Sequence, residues 1–500
     1  MFFSACSLPS LKGRQDSSAF TDTADTSLGR AVTPVLAAQP ENISGIHLLF
    51  EPYEAMAARI RLARSAERSI DAQYYIWHAD VSGTLLFDAL CQAADRGVRV
   101  RLLLDDNGTQ GIDQLLAALN AHPNIEIRLF NPFRHRNARW FDFLTDFRRL
   151  NRRMHNKLYL VDNQVAIVGG RNIGDEYFDA PSETSFIDAD LLGIGPVVRE
   201  SSKDFDLYWN SLSAYPAELI LPRSRAEDIS NLRAQAIVYQ QNLMAKMHTH
   251  ALQTCGAIQC LLDNTLDWHW VPVRMLSDPP AKGLGKAKSR DLLPAQLIFN
   301  SGIPQKSLEM VTPYFVPLGN DIRALSGLAK KGIAIHILTN SLAATDVELV
   351  HSGYAGSRKR LLKAGIRLYE WRHQLSESLM THRRGIGQSS SSSLHAKTFV
   401  SDGRYLFVGS FNYDPRSIRL NTECGFIVES AELASAVEKS YLHAVPYSAY
   451  EVRLDENGSL YWLEQREDEQ LIRHHTEPYT KWWQRRLVDF LAILPIKRLL

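Results

Sequence analysis

Apolar runs of strand length alternate with stretches of helical spacing along this chain, and the series occurs twice. The first series holds "SIDAQYYIW" (Ser69–Trp77), the helical "LLFDALCQAADRG" (Leu85–Gly97), the β-rich "VRVRLLLDD" (Val98–Asp106) and "NIEIRLFNP" (Asn124–Pro132). The second holds "SLEMVTPYFVP" (Ser307–Pro317), the helical "IRALSGLAKKG" (Ile322–Gly332), "IAIHILTNS" (Ile333–Ser341) and "GIRLYEW" (Gly365–Trp371). Strands alternating with helices, the strands nearly continuous in apolar residues, predict an α/β fold whose sheets are covered by helices on both faces. The pattern divides the chain into a mobile, polar N-terminal tail over residues 1–40, a first lobe over 41–215 and a mostly helical connector over 216–272. A second lobe over 273–475 and an amphipathic C-terminal helix over 476–500 complete it.

Bulk composition narrows the class. At 500 residues the chain exceeds what one core holds, so two domains or a duplicated unit are expected. Lys+Arg 56 against Asp+Glu 55 gives a net charge of +1, which argues against binding nucleic acid through bulk charge. Five cysteines without CxxC spacing point away from a disulfide framework or a zinc site. The opening "MFFSACS" resembles the end of a lipoprotein cleavage site with Cys6 as the lipidated residue, although the charged and apolar regions that precede such a site are missing.

Each series ends in a motif. "MHNKLYLVDNQVAIVGGRN" (Met154–Asn172) and "LHAKTFVSDGRYLFVGSFN" (Leu394–Asn412) share His155/His395, Lys157/Lys397, Asp162/Asp402, Gly169/Gly409 and Asn172/Asn412 at a constant offset (395 − 155 = 240). A duplicated scaffold explains recurring strands, but not recurring ionisable groups. On a strand His155 and Lys157 point to one face, as do His395 and Lys397. Two imidazoles and two ammonium groups suit a phosphodiester. The lysines neutralise its non-bridging oxygens, one histidine attacks phosphorus, and the other protonates the departing alcohol and deprotonates the next. Asn172, Asn412 and the Ser410 hydroxyl are candidate hydrogen-bond donors, and Gly170 stands where the second motif has Ser410, so the site is not symmetric. Asp162 and Asp402 complete the candidate catalytic set, but their parity, opposite to the histidines, reads them as braces at a turn or strand end. The scheme requires no metal or cofactor, since the lysines supply the positive charge.

Two copies of H-x-K-x4-D-x6-G-(G/S)-x-N resemble the phospholipase D superfamily. "QYYIWHADVSG", "RGVRVRLLLDDNGT", "GGRNIGDEYF", "LTNSLAATDVELVHSGY" and "GSFNYDPRS" are similar to the C-type group of bacterial cardiolipin synthases. That resemblance implies two pseudo-twofold-related lobes, each a mixed β-sheet flanked by helices, with one shared active site. It implies phosphatidyl transfer to phosphatidylglycerol, from a second phosphatidylglycerol or from phosphatidylethanolamine, at the bacterial inner membrane as a peripheral protein. It also implies that a carboxylate downstream of each motif orients that motif's histidine. Aligning "DADLLGIG" with "NTECGFIVES" names Asp190 and Glu423. By the same analogy His155 is the nucleophile and His395 the general acid.

Two stretches bear on lipid contact. Between Arg134 and Arg153 seven arginines and two aspartates are interleaved with Trp140, Phe141, Phe143 and Phe147, a pattern suited to headgroups and the bilayer interface, to single-stranded nucleic acid, or else to a helix packing its rings on the lobe. At the C-terminus Trp483, Leu487, Phe490 and Leu494 recur at helical spacing opposite Lys481, Arg485 and Arg486, which suits a helix in the membrane interface or one docked on the protein itself. The run "QSSSSS" before Leu394 reads as a loop. A hydrolytic phospholipase D, a phosphodiesterase nuclease and a non-enzymatic lipid-binding module stand as alternatives. A companion protein is not decided by the sequence.

Overall fold

Ser69–Ile76 is an apolar run because it lies inside a sheet, paired on both sides. In the computed structural model, which describes residues 8–179, 184–251, 256–372, 391–466 and 469–493, the chain divides into two units. The first comprises Met1–Ala180, Asp190–Leu293 and Leu420–Phe426; the second comprises Pro181–Ala189, Pro294–Arg419 and Ile427–Leu500. Each unit therefore contains a short segment borrowed from the other half of the sequence.

In the first unit the strands run in the order His269–Ser277, Ile43–Leu49, Asp190–Ile194, Val165–Gly169, Leu158–Val161, Ser69–Ile76, Arg99–Gly108, Ile125–Phe130 and Ala214–Pro216. The pairings of Ser69–Ile76 with Arg99–Gly108 and of Arg99–Gly108 with Ile125–Phe130 are parallel, and the others are antiparallel. Parallel neighbours need crossovers. The helices Val81–Asp95 and Asp113–Asn120 supply them, the first begun by Asp80, whose side chain accepts the Gly83 N–H at 3.0 Å.

The second unit repeats the plan. Tyr405–Gly409, Thr398–Ser401, Ser307–Val311, Ala334–Asn340, Arg367–Trp371, Ala449–Leu454, Leu460–Gln465 and Leu471–His474 lie side by side, with the same two parallel pairings in the middle. Met310, Ile335, Ile337, Leu368 and Val452 form its buried core with Ile322 and Leu325 of the crossover helix Gly319–Lys330. In both units the hairpin that follows the His-x-Lys motif packs antiparallel against the unit's first parallel strand. The two α/β repeats legible in the sequence are therefore present, each with a mixed sheet.

Four boundaries differ from expectation. Among the tail residues described, Arg14 donates to the carbonyls of Asn210, Ser211 and Ala214, Trp209 Nε1–H donates to Ser17, and Ser27–Ala37 is a helix burying Leu28 and Val32. The segment is polar because it satisfies the backbone and side chains of its neighbours, and it is not a mobile tail; Cys6 lies outside the described residues. The connector is helical over Ala226–Ala251 and Ala257–Leu262, but the strand His269–Ser277 belongs to the first unit, and the second begins at Pro294 instead of residue 273. The end of the serine run, Ser391–Leu394, is a strand parallel to Thr184–Ile187. Finally, regular strand starts at Leu158 and Thr398, so each His-x-Lys sits on the extended segment leading into a strand.

Candidate active site

The first unit fixes His155 from its backbone outward. Asp105, at the buried end of Arg99–Gly108, accepts the Met154 N–H at 2.7 Å and holds the Arg153 guanidinium at 2.6 Å; burial raises its carboxyl above the ordinary value. Residues 420–426 then run beside this anchored stretch: Thr422 N–H donates to the Arg153 carbonyl and His155 N–H to the Thr422 carbonyl, both at 2.9 Å. That pairing brings the next residue, Glu423, to the imidazole, with His155 Nδ1 2.8 Å from its Oε2. A carboxylate on Nδ1 holds the proton there and leaves the lone pair on Nε2, the tautomer a nucleophile or base requires. Lys157 Nζ donates to the His155 carbonyl at 2.7 Å and lies 5.7 Å from the centre of the Tyr75 ring, which also packs edge-on to the His155 ring.

The second unit builds its counterpart with different segments. The strand Thr184–Ile187 presents the Ile187 carbonyl to the N–H groups of both His395 and Ala396, each at 2.9 Å. The following residue, Asp188, reaches His395 Nδ1 at 2.5 Å. Lys397 Nζ lies 3.0 Å from that nitrogen and 3.3 Å from Nε2, and Phe186 packs on the ring. Both histidines and both lysines are buried. In each unit a buried cation stands beside an imidazole whose Nδ1 is held by a carboxylate, an arrangement that binds an anion and transfers protons at it.

Among the described contacts Asp190 meets no histidine. It is buried against Arg59 at 2.8 Å and Arg171 at 3.4 Å. The backbone pairings show why the alignment missed: Ile187 corresponds to Thr422, so Asp188 corresponds to Glu423, two residues from the choice made on sequence. A two-residue shift preserves strand parity, so periodicity cannot detect it. Glu423 does meet a histidine, that of the first motif. Each carboxylate thus orients the histidine of the other repeat.

Asp162 and Asp402 do not touch an imidazole among the described contacts. Each occupies the left-handed region (φ 51° and 56°) at its hairpin turn. Asp162 accepts the N–H groups of Glu67, Arg68 and Ser69, and Asp402 those of Gln305, Lys306 and Ser307. These contacts tie each hairpin turn to the backbone that enters the unit's first parallel strand. Asn172 is also internally engaged: its Oδ1 accepts the Ile76 N–H at 3.2 Å and its Nδ2 donates to the Tyr177 hydroxyl at 2.8 Å. Asn412 Oδ1 accepts from Thr312, and Ser410 is fully buried. His78, Asp80 and Glu176 bring three ligand-type atoms within 4.8 Å of one another, but the Asp80 oxygens already accept the Gly83 and Asp175 N–H groups.

In the arginine-rich stretch most of the arginines are paired with carboxylates instead of being offered to headgroups. Arg136 pairs with Asp106 and Asp113, Arg134 and Arg149 with Asp146, and Arg153 with Asp105. Meanwhile Trp140, Phe141, Leu144 and Phe147 of the helix Arg139–Leu150 are exposed, and Phe143 packs on Phe133. The C-terminal helix Trp482–Ile493 buries Val488 against its own unit while Trp482, Trp483, Leu487 and Phe490 remain exposed; Leu494 lies outside the described residues. No helix among the described residues is long and apolar enough to cross a membrane.

The family model "Cardiolipin synthase, PLD-like domain" matches residues 60–209 and 300–444, the two segments that carry the motifs. Cardiolipin synthase C of Escherichia coli is 45% identical over 95% of this chain and 99% of its own length, and a cardiolipin synthase of Oceanobacillus iheyensis is 23% identical over 80% and 68%. The solved structure of phosphatidylserine synthase from Haemophilus influenzae superimposes with a TM-score of 0.58 at 15% identity, covering 95% of this chain and all of that one, which shows a common fold. With its duplicated motif, its two matching sheets and these relatives, the chain belongs to the PLD-like cardiolipin synthase family.

Proposed function

We propose that this protein is a phosphatidyltransferase that makes cardiolipin. The observation that carries this reading is the matched pair of buried imidazoles, each with a carboxylate on Nδ1 and a lysine beside it. In the scheme the Nε2 of one histidine, His155 by family analogy, attacks the phosphorus of a donor phospholipid. The bond from phosphorus to the headgroup oxygen breaks, and the imidazolium of the other histidine gives its proton to that oxygen. The hydroxyl of an acceptor phosphatidylglycerol then attacks the phosphatidyl-histidine, its proton returns to the second imidazole, and the P–N bond breaks. The lysines stabilise the charge that gathers on the non-bridging oxygens. Phosphatidylglycerol or phosphatidylethanolamine serves as donor, and exclusion of water separates this reaction from hydrolysis to phosphatidic acid.

The exposed apolar ridge Trp140–Phe141–Leu144–Phe147 and the rings of Trp482–Ile493 support action at a lipid surface by a peripheral protein. The test is product identification by mass spectrometry, with purified protein in mixed micelles containing EDTA. Phosphatidylglycerol is supplied alone and then with phosphatidylethanolamine. Cardiolipin with glycerol or ethanolamine as co-product is expected and names the donor; phosphatidic acid as the sole phospholipid product would overturn the transferase reading.

A further inference from the structure

Glu423 reaches His155 from a segment that returns to the first unit for only seven residues, so something must hold that segment in register. The described contacts converge on one residue. Asp278 Oδ2 accepts the Glu423 N–H at 3.0 Å, and the Asp278 N–H donates to the Glu423 carbonyl at 2.9 Å, so the peptide units on both sides of Glu423 are gripped by a single aspartate. That aspartate is itself immobilised. Lys282 Nζ donates to its Oδ2 at 2.7 Å, the Leu293 N–H to its Oδ1 at 2.8 Å, and the Tyr208 hydroxyl to its carbonyl at 2.5 Å. Asp278 has no solvent exposure, and Lys282 is 2% exposed. A buried carboxylate with a paired ammonium and two N–H donors is costly unless its geometry is kept, which makes the arrangement rigid.

We propose that Asp278 is a positioning residue for catalysis: with Lys282 it fixes the backbone of Glu423 and so sets the contact between that carboxylate and the His155 imidazole. The inference rests on the reading of His155 as part of the phosphatidyl-transfer machinery. Nothing in the repeat announces it, since "SDPPAKG" lies outside both motifs. In the second unit Asp188 Oδ1 accepts the adjacent Ala189 N–H while its Oδ2 meets His395 Nδ1. The groups that face Asp278 are Lys282, Glu423, Asp204 and Tyr208. Burial pushes its carboxyl up to about 6 against the pull of Lys282, so removing its charge also changes the field at Glu423.

The experiment compares wild type, Asp278→Asn, Glu423→Gln and the double variant, with thermal melting as the check on folding. Cardiolipin and phosphatidic acid are both counted. A hydrolase would thereby overturn the transferase reading while leaving the Asp278 test readable. We expect Asp278→Asn to lower kcat by up to about 100-fold with KM for phosphatidylglycerol nearly unchanged, since displacement of a catalytic group by about 1 Å has that effect. The limb of the pH–rate profile that belongs to His155 should move to lower pH, because a loosened carboxylate favours the imidazolium less. In the Glu423→Gln background the same substitution should add less than about twofold, since the partner it positions is already gone. An equal loss in both backgrounds, or an unmoved pH profile, overturns the proposal. Should Asp278→Asn not fold, Lys282→Gln weakens the same clamp from the other side, and the same criteria apply.

Discussion

Asp162 and Asp402 occupy the same place in the two repeats, yet their carboxyls are shifted in opposite directions from the ordinary value. At Asp162 burial outweighs the N–H donors of Ser69, Arg68 and Glu67, and the carboxyl is raised; at Asp402 burial pushes the same way but the donors of Lys306, Ser307 and Gln305 together with the Lys306 charge win, and it is lowered. A lowered carboxyl contributes stability that is present above its unfolded value and lost as pH falls through the folded one; a raised carboxyl contributes in the reverse sense. The destabilisation caused by Asp402→Asn, followed by urea unfolding, should therefore be greatest near neutral pH and shrink below about pH 4. Asp162→Ala should cost about 1–3 kcal/mol through three N–H groups, the one of Ser69 buried, left without their acceptor, and a change under about 0.5 kcal/mol would remove it as a brace. In the sequence, strand parity separates these two residues from His155 and His395. It did not make Asp188 legible, since a shift of two along a strand leaves every parity intact, nor Asp278, whose role is expressed through another residue's backbone.

At the scale of elements, the parallel strands were legible because strands buried on both faces are nearly uninterrupted in apolar residues. The N-terminal segment was not, because its Arg14 and Ser17 are polar for the sake of partners nearly 200 positions away, which no local pattern reveals. The helix Arg139–Leu150 shows the same limit: composition gave its arginines and rings, but only the fold shows that most of the arginines are paired internally and the rings face outward. Trp140 is 68% exposed and Leu144 74% exposed, so replacing both costs the fold little. We expect Trp140→Ser with Leu144→Ser to leave the melting temperature unchanged. Binding to phosphatidylglycerol vesicles in a sedimentation assay should fall at least about tenfold, given roughly 1.5–3 kcal/mol for each large apolar side chain removed from water. Unchanged sedimentation would remove this ridge from the membrane surface of the protein.

For the whole molecule the main consequence of the topology is that the carboxylates are exchanged. Glu423 follows the second motif in sequence but serves His155, and Asp188 follows the first but serves His395. A linear reading of the repeat, each motif completed by its own downstream acid, groups Glu423 with His395. The fold groups it with His155. These groupings differ in a measurable way. With a donor whose leaving group needs no proton, loss of the general acid still permits the phospho-enzyme to form, whereas loss of the nucleophile abolishes it. Acid-precipitated, radiolabelled enzyme is compared for His155→Gln, His395→Gln, Glu423→Gln and Asp188→Asn. Glu423→Gln should fall in the class of His155→Gln, with labelling slowed or absent. Asp188→Asn should fall in the class of His395→Gln, with label accumulating because the second step lacks its base. The comparison holds whichever histidine carries the phosphorus, since only the pairing is at stake. If Glu423→Gln labels like His395→Gln, the exchange does not operate in catalysis, and each repeat completes its own site.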